Sequence, residues 1–209
     1  MTSLTEGKAG KALWLFTLPL LASSIFQQLY NIADTVIVGQ FVGEGALAAV
    51  GASYPITMIF TAVAMGCNIG CSVIISQLYG AGKKAQMKTA ISTSFIAFTA
   101  LALLLTGLGL ALAVPLMRML GTPTDVFDDS VVYLNIYIVG MAFVFLYNIA
   151  TGIFTAFGDS KTPLVFLIIS SVTNIGLDLL FVCVFHWGVG GAAWATVIAQ
   201  GLASIGCIF

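Results

Sequence analysis

Two aspartates sit in apolar runs where a charge is expensive: Asp34 in LYNIADTVIVG, Leu29 to Gly39, and Asp178 in TNIGLDLLF, Thr173 to Phe181. Each has an amide about one helical turn upstream. Asn31 precedes Asp34 by three residues and Asn174 precedes Asp178 by four, so on helices each pair shares a face. A carboxylate at a bilayer centre costs about 2.5 to 3.5 kcal/mol on insertion scales, so such a group faces protein, water or a cation rather than lipid. Two carboxylates with an amide and a hydroxyl, the latter available from Thr196, can coordinate a hard monovalent cation such as sodium through oxygen. Held close in low dielectric they also repel one another, and a retained proton relieves that repulsion. The chemistry on offer is the loading and release of a positive species, sodium ion or proton, with changed helix packing as its consequence. The bland alternative is a hydrogen-bond network that only joins helices.

The elements that would hold these groups are membrane spans. Of 209 residues, 60% are hydrophobic and 7% charged, with a mean hydropathy of +1.10; an ordinary soluble domain carries about 25% charged residues. Runs of about 20 apolar residues between charged or turn-forming stretches give six expected spans, at residues 12–38, 47–78, 90–117, 131–157, 164–185 and 191–209. The expected fold class is therefore an all-α polytopic membrane protein, and of its eight acidic residues only Asp34 and Asp178 fall inside spans. The second span is too long for a perpendicular crossing of a layer about 30 Å thick. It must tilt, bend near Pro55 or project.

Direction follows from lysine and arginine, which are retained on the cytoplasmic side in short loops. Lys8, Lys11, Lys83, Lys84, Lys88 and Lys161 all fall on one side of the six crossings, and only Arg118 on the other. A multi-pass plasma-membrane protein with a cytoplasmic amino terminus is expected. The first apolar run exceeds a signal-peptide core of roughly 7 to 15 residues, so the first span reads as retained. The sequence stops within an apolar run, GLASIGCIF, which reads as a partial chain or one lobe of something larger.

In this frame Asp34, Asp178 and Thr196 all fall in the outer half of the bundle. Asn31 and, on the fourth span, Tyr133, Tyr137 and Asn148 are candidate cavity-lining residues, with Asn68 and Gln77 on the second span as weaker ones. Pro19, which lacks an amide donor, is a candidate kink in the first span; the bend could be static or mobile. Small residues Gly66, Gly70, Gly201 and Ser204 suggest close helix approach. Cys67, Cys71, Cys183 and Cys207 lie in or beside apolar stretches and read as buried side chains rather than ligands. No cofactor motif is present, and the Tyr79-Gly80-Ala81-Gly82-Lys83-Lys84 turn lacks the spacing of a phosphate-binding loop. The charge balance of -1, with no large basic cluster, argues against nucleic acid as a partner.

Six stretches occur in order along almost the whole chain: QQLYNIADTVIVGQFVG, LAAVGASYPI, ISQLYGAGKKAQ, FTAFGDSKTPL, TNIGLDLLF and GVGGAAWATVIAQ. Through these the chain resembles the multidrug and toxic compound extrusion (MATE) family, and within it the branch like DNA-damage-inducible membrane proteins. The resemblance implies the amino-terminal six-helix lobe of a twelve-helix transporter, with a second six-helix lobe as partner. It further implies export of cationic or amphipathic organic compounds against sodium ions or protons. By the same resemblance Asp34, Asn174, Asp178 and Thr196 match the family's coupling positions, Tyr133 and Asn148 a tyrosine and an asparagine of helix four, and Pro19 a bending proline. The competing expectations are an exporter or flippase of a different lipophilic solute, which would carry basic residues for phosphate, and a non-transporting membrane scaffold. An enzyme is not expected, since HExxH and GxSxG arrangements are missing from the sequence.

Overall fold

The computed structural model describes residues 9–208, all helical apart from short connections. Lys8, the Lys11 side chain and Phe209, on which the orientation and the last expected span partly drew, lie outside the described residues.

Helix α1 runs from Ala9 to Phe41, α2 from Glu44 to Gly80 and α3 from Lys84 to Met119. The expected fourth span is two helices, α4 (Phe127–Val139) and α5 (Met141–Ala156), bent by 45°. Gly140 is the joint, and a Cβ there would run into the Val197 side chain. The fifth is α6 (Lys161–Asp178) followed by a π-helical segment, Leu179–Val184, and the sixth is α7 (Gly188–Ile208). Among the described residues α2, α3, α6 with its π segment, and α7 are long and apolar enough to cross a membrane, and the bent α4–α5 pair makes a fifth. Helix α1 is 33 residues long and carries Gln27, Gln28, Asn31 and Asp34 within it.

None of the three longest helices breaks at its proline. Helix α1 continues through Pro19, α2 through Pro55 and α3 through Pro115. At 1.5 Å per residue the 37-residue α2 is about 55 Å long, so it tilts or projects beyond a hydrocarbon layer of about 30 Å.

The packed interior lies between α2, α3, α4 and α5, where Phe60, Ala102, Met117, Leu134, Ile138, Met141 and Phe145 are buried. A second cluster closes one end of the bundle: Val38 from α1, Ala46 from α2, Val182 from the π segment, and Val189 and Ala192 from α7. The outer faces carry large exposed apolar residues such as Ile59, Ile69, Leu103 and Val172. In water such a surface would be a liability; in lipid it is the solvent-facing side.

Of the small residues expected to permit close approach, Gly201 packs against the Phe143 ring and Ser204 is fully buried, but the two on α2 stand in open space. Gly66 and Gly70 have nothing within 4 Å of the position a Cβ would take. The close approach is at Gly152 on α5, where a Cβ would sit 2.7 Å from Asn68 Oδ1 and 3.1 Å from the Asn68 carbonyl oxygen. Asn68 Nδ2 donates to Thr151 Oγ1 at 3.2 Å in the same contact, so this amide, a cavity-lining candidate by sequence, instead ties α2 to α5. Because backbone cannot yield as a side chain does, Gly152→Ala is expected to cost about 1–3 kcal/mol of stability. Thermal unfolding of the detergent-solubilised full chain measures this; an unchanged midpoint would refute the contact.

Candidate functional site

Helix α6 carries Asn174 and Asp178 on one face, and that face turns inward: Asn174 is 1% exposed and Asp178 0%. Helix α1 packs alongside α6 and brings Asp34 to the same place. The two carboxyl groups are close neighbours, although they come from distant parts of the sequence. One oxygen of each, Asp34 Oδ1 and Asp178 Oδ1, is buried and has no hydrogen-bond partner. An unpartnered buried acceptor costs about 1–3 kcal/mol, more when charged. A bound proton or cation would satisfy such acceptors.

Asp178 Oδ2 is served by a fixed frame. The Asn174 amide donates to Asp178 Oδ2 at 2.9 Å and its oxygen accepts the Thr196 N–H at 3.1 Å; the opposite orientation would set oxygen against oxygen. Thr196 Oγ1 donates to the Ala192 carbonyl at 3.1 Å, which holds the hydroxyl against its own helix. Tyr30, one turn before Asp34 on α1, lies beside Thr196 and both carboxyls. Tyr133 on α4 also faces Asp34 and Asp178 and stacks on Tyr137 with ring centroids 6.3 Å apart. The Tyr137 hydroxyl is 3.2 Å from Thr61 Oγ1 on α2. Helices α1, α2, α4, α6 and α7 thus meet in one polar nest inside an apolar bundle.

Local structure loosens immediately beyond Asp178. The α-helix gives way to the π segment at Leu179, whose wider turns are uncommon and often lie at functional sites. Phe181 and Val182 are nonetheless buried, and Phe181 stacks on Trp187 at 4.9 Å, so packing holds the segment in place.

Two expected site residues stand elsewhere. Asn31 shares a helix with Asp34 but not the site: it is exposed, and its Nδ2 donates to Gln28 Oε1 at 3.1 Å. Together with Gln28, Ile32, Thr35 and Val36 it lines an open groove of about 330 Å³ on the side of α1 turned away from the bundle. A separation of three residues falls short of a full turn, so the two side chains are neighbours without being in line, and the packing of α1 against α6 divides them. Asn148 is on α5, where its Nδ2 donates to the Val144 carbonyl at 2.8 Å, an internal helix bond instead of a contact with the carboxyl pair. Gln77 is exposed.

Tyr30 and Thr61 were not among the expected residues. For Tyr30 the signal was present, since it stands four residues before Asp34. Its aromatic body made it look like ordinary apolar filling.

The connection between α5 and α6 is tightly built. Gly158, at φ +77°, ends α5, with Gly158 N–H donating to the Thr155 carbonyl and Asp159 N–H to the Phe154 carbonyl, the two bonds of a Schellman turn. Asp159 Oδ1 then accepts the N–H groups of Lys161 and Thr162 at 3.1 and 3.2 Å, and Oδ2 the Thr162 hydroxyl at 2.6 Å. Partial burial raises the carboxyl's pKa, but these bonds outweigh it and hold it below the usual carboxylate range.

Comparison with known proteins identifies the family. The family model described as MatE matches residues 19–180. The chain is 32% identical to the "Probable multidrug resistance protein YpnP" of Bacillus subtilis, covering 98% of this chain and 46% of that protein. It is 33% identical to "Probable multidrug resistance protein YoeA" of the same organism, covering 93% of this chain and 44% of that one. A crystal structure of a MATE protein in complex with MaD3S superposes with a TM-score of 0.90 at 28% identity, over 96% of this chain and 45% of the other. The chain thus spans slightly less than half the length of the curated relatives it matches. Its helical bundle corresponds to one lobe of such transporters, and the chain belongs to the MatE family, the multidrug and toxic compound extrusion transporters.

Proposed function

We propose that this chain is the ion-coupling lobe of a secondary antiporter that exports cationic or amphipathic organic compounds in exchange for sodium ions or protons. The observation that carries the reading is the contact between Asp34 and Asp178, each with one buried oxygen lacking a partner. A positive species seated there would satisfy both oxygens and draw α1 toward α6; its departure would leave two charges in low dielectric and push the helices apart. Asn174 and Thr196 would hold Asp178 in position throughout, and sodium, where it is the coupling ion, would take oxygens from Asp34 and Asp178. No cofactor is needed for exchange of this kind.

The same site constrains the solute. Lys83, Lys84, Lys88, Arg118 and Lys161 are exposed, so among the described residues the buried charges are acidic. Acidic walls attract cations and repel phosphates. The open groove on α1, with the uncharged amides of Gln28 and Asn31 beside Ile32 and Val36, suits the neutral part of an amphipathic molecule. A second six-helix lobe would face it. On this reading the protein resides in the plasma membrane, and the lysine distribution supports an amino terminus in the cytoplasm.

Proteoliposomes holding the full protein test this. With an imposed sodium or proton gradient, an organic cation is expected to move against the ion while a lipid phosphate does not. Movement of the lipid phosphate alone would replace this reading with a flippase, and movement of neither with a scaffold.

A further inference from the structure

We propose that Ser160, in the connection between α5 and α6, is a positioning residue that latches the proline-bearing turn of α1 and so sets how readily α1 moves. The proposal rests on the reading above that α1 repacks when the carboxyl pair is loaded. Ser160 Oγ donates to the Phe16 carbonyl at 3.0 Å, across 144 residues of sequence, and the serine is 3% exposed. A buried side-chain bond of that range, from a loop to a helix backbone, has no part in closing either element.

Its target is the weakest stretch of α1. Pro19 has no N–H, so the carbonyl of Leu15 lacks its usual amide partner one turn on. Just beyond, Ser23 Oγ donates to the Pro19 carbonyl at 2.9 Å and Ser24 Oγ to the Leu20 carbonyl at 3.1 Å. Hydroxyls bonded back to the carbonyl four residues earlier compete with the helix's own ladder and favour bending. Three carbonyls between residues 16 and 20 thus have hydroxyl partners, two from α1 itself and one from Ser160. Of the three, only the bond from Ser160 crosses to another element.

The anchor does not give. Asp159, immediately before Ser160, is fixed by the Schellman turn on one side and by its bonds to Lys161 and Thr162 on the other. Tyr147 on α5 adds a bond to the Pro163 carbonyl at 3.4 Å. With the loop rigid and the α1 turn weakened, any bending or straightening at Pro19 shifts the Phe16 carbonyl relative to Ser160 and makes or breaks one hydrogen bond. The latch, at Phe16, lies near the opposite end of α1 from Asp34, eighteen residues or about 27 Å along the helix. It therefore acts on the population of α1 conformers and not on the affinity of the carboxyl pair itself.

The test uses the full chain in nanodiscs, with Cys67, Cys71, Cys183 and Cys207 replaced by alanine and spin labels on cysteines at Leu18 and Lys88. Ser160→Ala is expected to change the ratio of the two α1 distance populations by about fivefold, the factor expected when one ordinary hydrogen bond is lost from one state. Ser160→Thr, which keeps the hydroxyl, stays within about twofold of wild type by the same reasoning. Hydrogen exchange at residues 16–24 is expected to quicken in Ser160→Ala while α2 and α5 are unaffected. A distance distribution unchanged in Ser160→Ala, or exchange quickened uniformly through the bundle, overturns the latch. Asp34→Asn in the same labelled background separates the two ideas: if α1 still responds to the coupling ion there, the coupling reading fails, while the Ser160→Ala arm, read without ion, still judges the latch.

Discussion

Asp34→Asn and Asp178→Asn are each expected to abolish ion-driven export while leaving the protein folded and in the membrane. Asparagine keeps the size of aspartate but cannot become an anion, so the unloaded state that forces α1 from α6 no longer exists. For an ion to drive a two-state helix equilibrium most of the way across, it must bind one state about 10⁴-fold more tightly than the other. Removing half of the charged pair removes most of that difference, and coupled transport is expected to fall by about two orders of magnitude or more. Solute uptake in proteoliposomes under an ion gradient, with expression and size-exclusion behaviour as controls, reads this. Full transport in both variants would mean that the carboxyl contact is a structural tie only.

Asn174→Leu should give the next largest effect, and of a different kind. Asn174 is 1% exposed and supplies the donor to Asp178 Oδ2 and the acceptor for the Thr196 N–H. Leucine fills nearly the same space with neither group. Supporting residues around an ion site typically contribute about 10- to 100-fold in affinity, roughly the loss expected here in the ion concentration needed for half-maximal transport. The maximal rate at saturating ion should be largely kept, because both carboxyls remain. A variant in which the maximal rate collapses while ion affinity is unchanged would show that Asn174 shapes the bundle and not the ion site.

Much of this site was legible in the sequence because membrane burial is so selective. A chain with 7% charged residues that places Asp34 and Asp178 inside apolar runs has declared them. Asn174 followed from helical spacing, since a separation of four slightly overshoots one turn and leaves the two side chains nearly stacked. Asn31 lines the open groove on α1 but stands apart from the carboxyl pair, because a separation of three undershoots the turn by a wider margin, and the boundary between buried and exposed faces of α1 runs through the gap. Asn148 stands apart for another reason. The 45° bend at Gly140 turns α5 away from the direction of α4, and Asn148 Nδ2 bonds the Val144 carbonyl of its own helix.

What the sequence concealed were contacts made by residues that need no explanation on their own. Tyr30 looks like apolar filling until Thr196 is found opposite its hydroxyl. Ser160 lies in a polar connection and gives no hint of the Phe16 carbonyl it bonds. The π segment after Asp178 has no compositional mark either: LLFVCV is as good an α-helix as its neighbours, and the wider turn is imposed by how Phe181 and Val182 pack. Helix boundaries were easier, because glycines in left-handed conformation at residues 43, 82, 121, 158 and 188 interrupt the apolar runs.

The central claim is that Asp34 and Asp178 together form one seat for a positive charge, and ion binding to the purified full-length protein measures that directly. Equilibrium binding of radioactive sodium, followed alongside proton uptake in weakly buffered solution, should show about one positive charge taken up per protein by this pair. Sodium and protons should compete if both can enter. Uptake should disappear in the Asp34→Asn, Asp178→Asn double variant. If the double variant takes up sodium and protons as the wild type does, the seat is elsewhere and the coupling role assigned to these two residues is wrong.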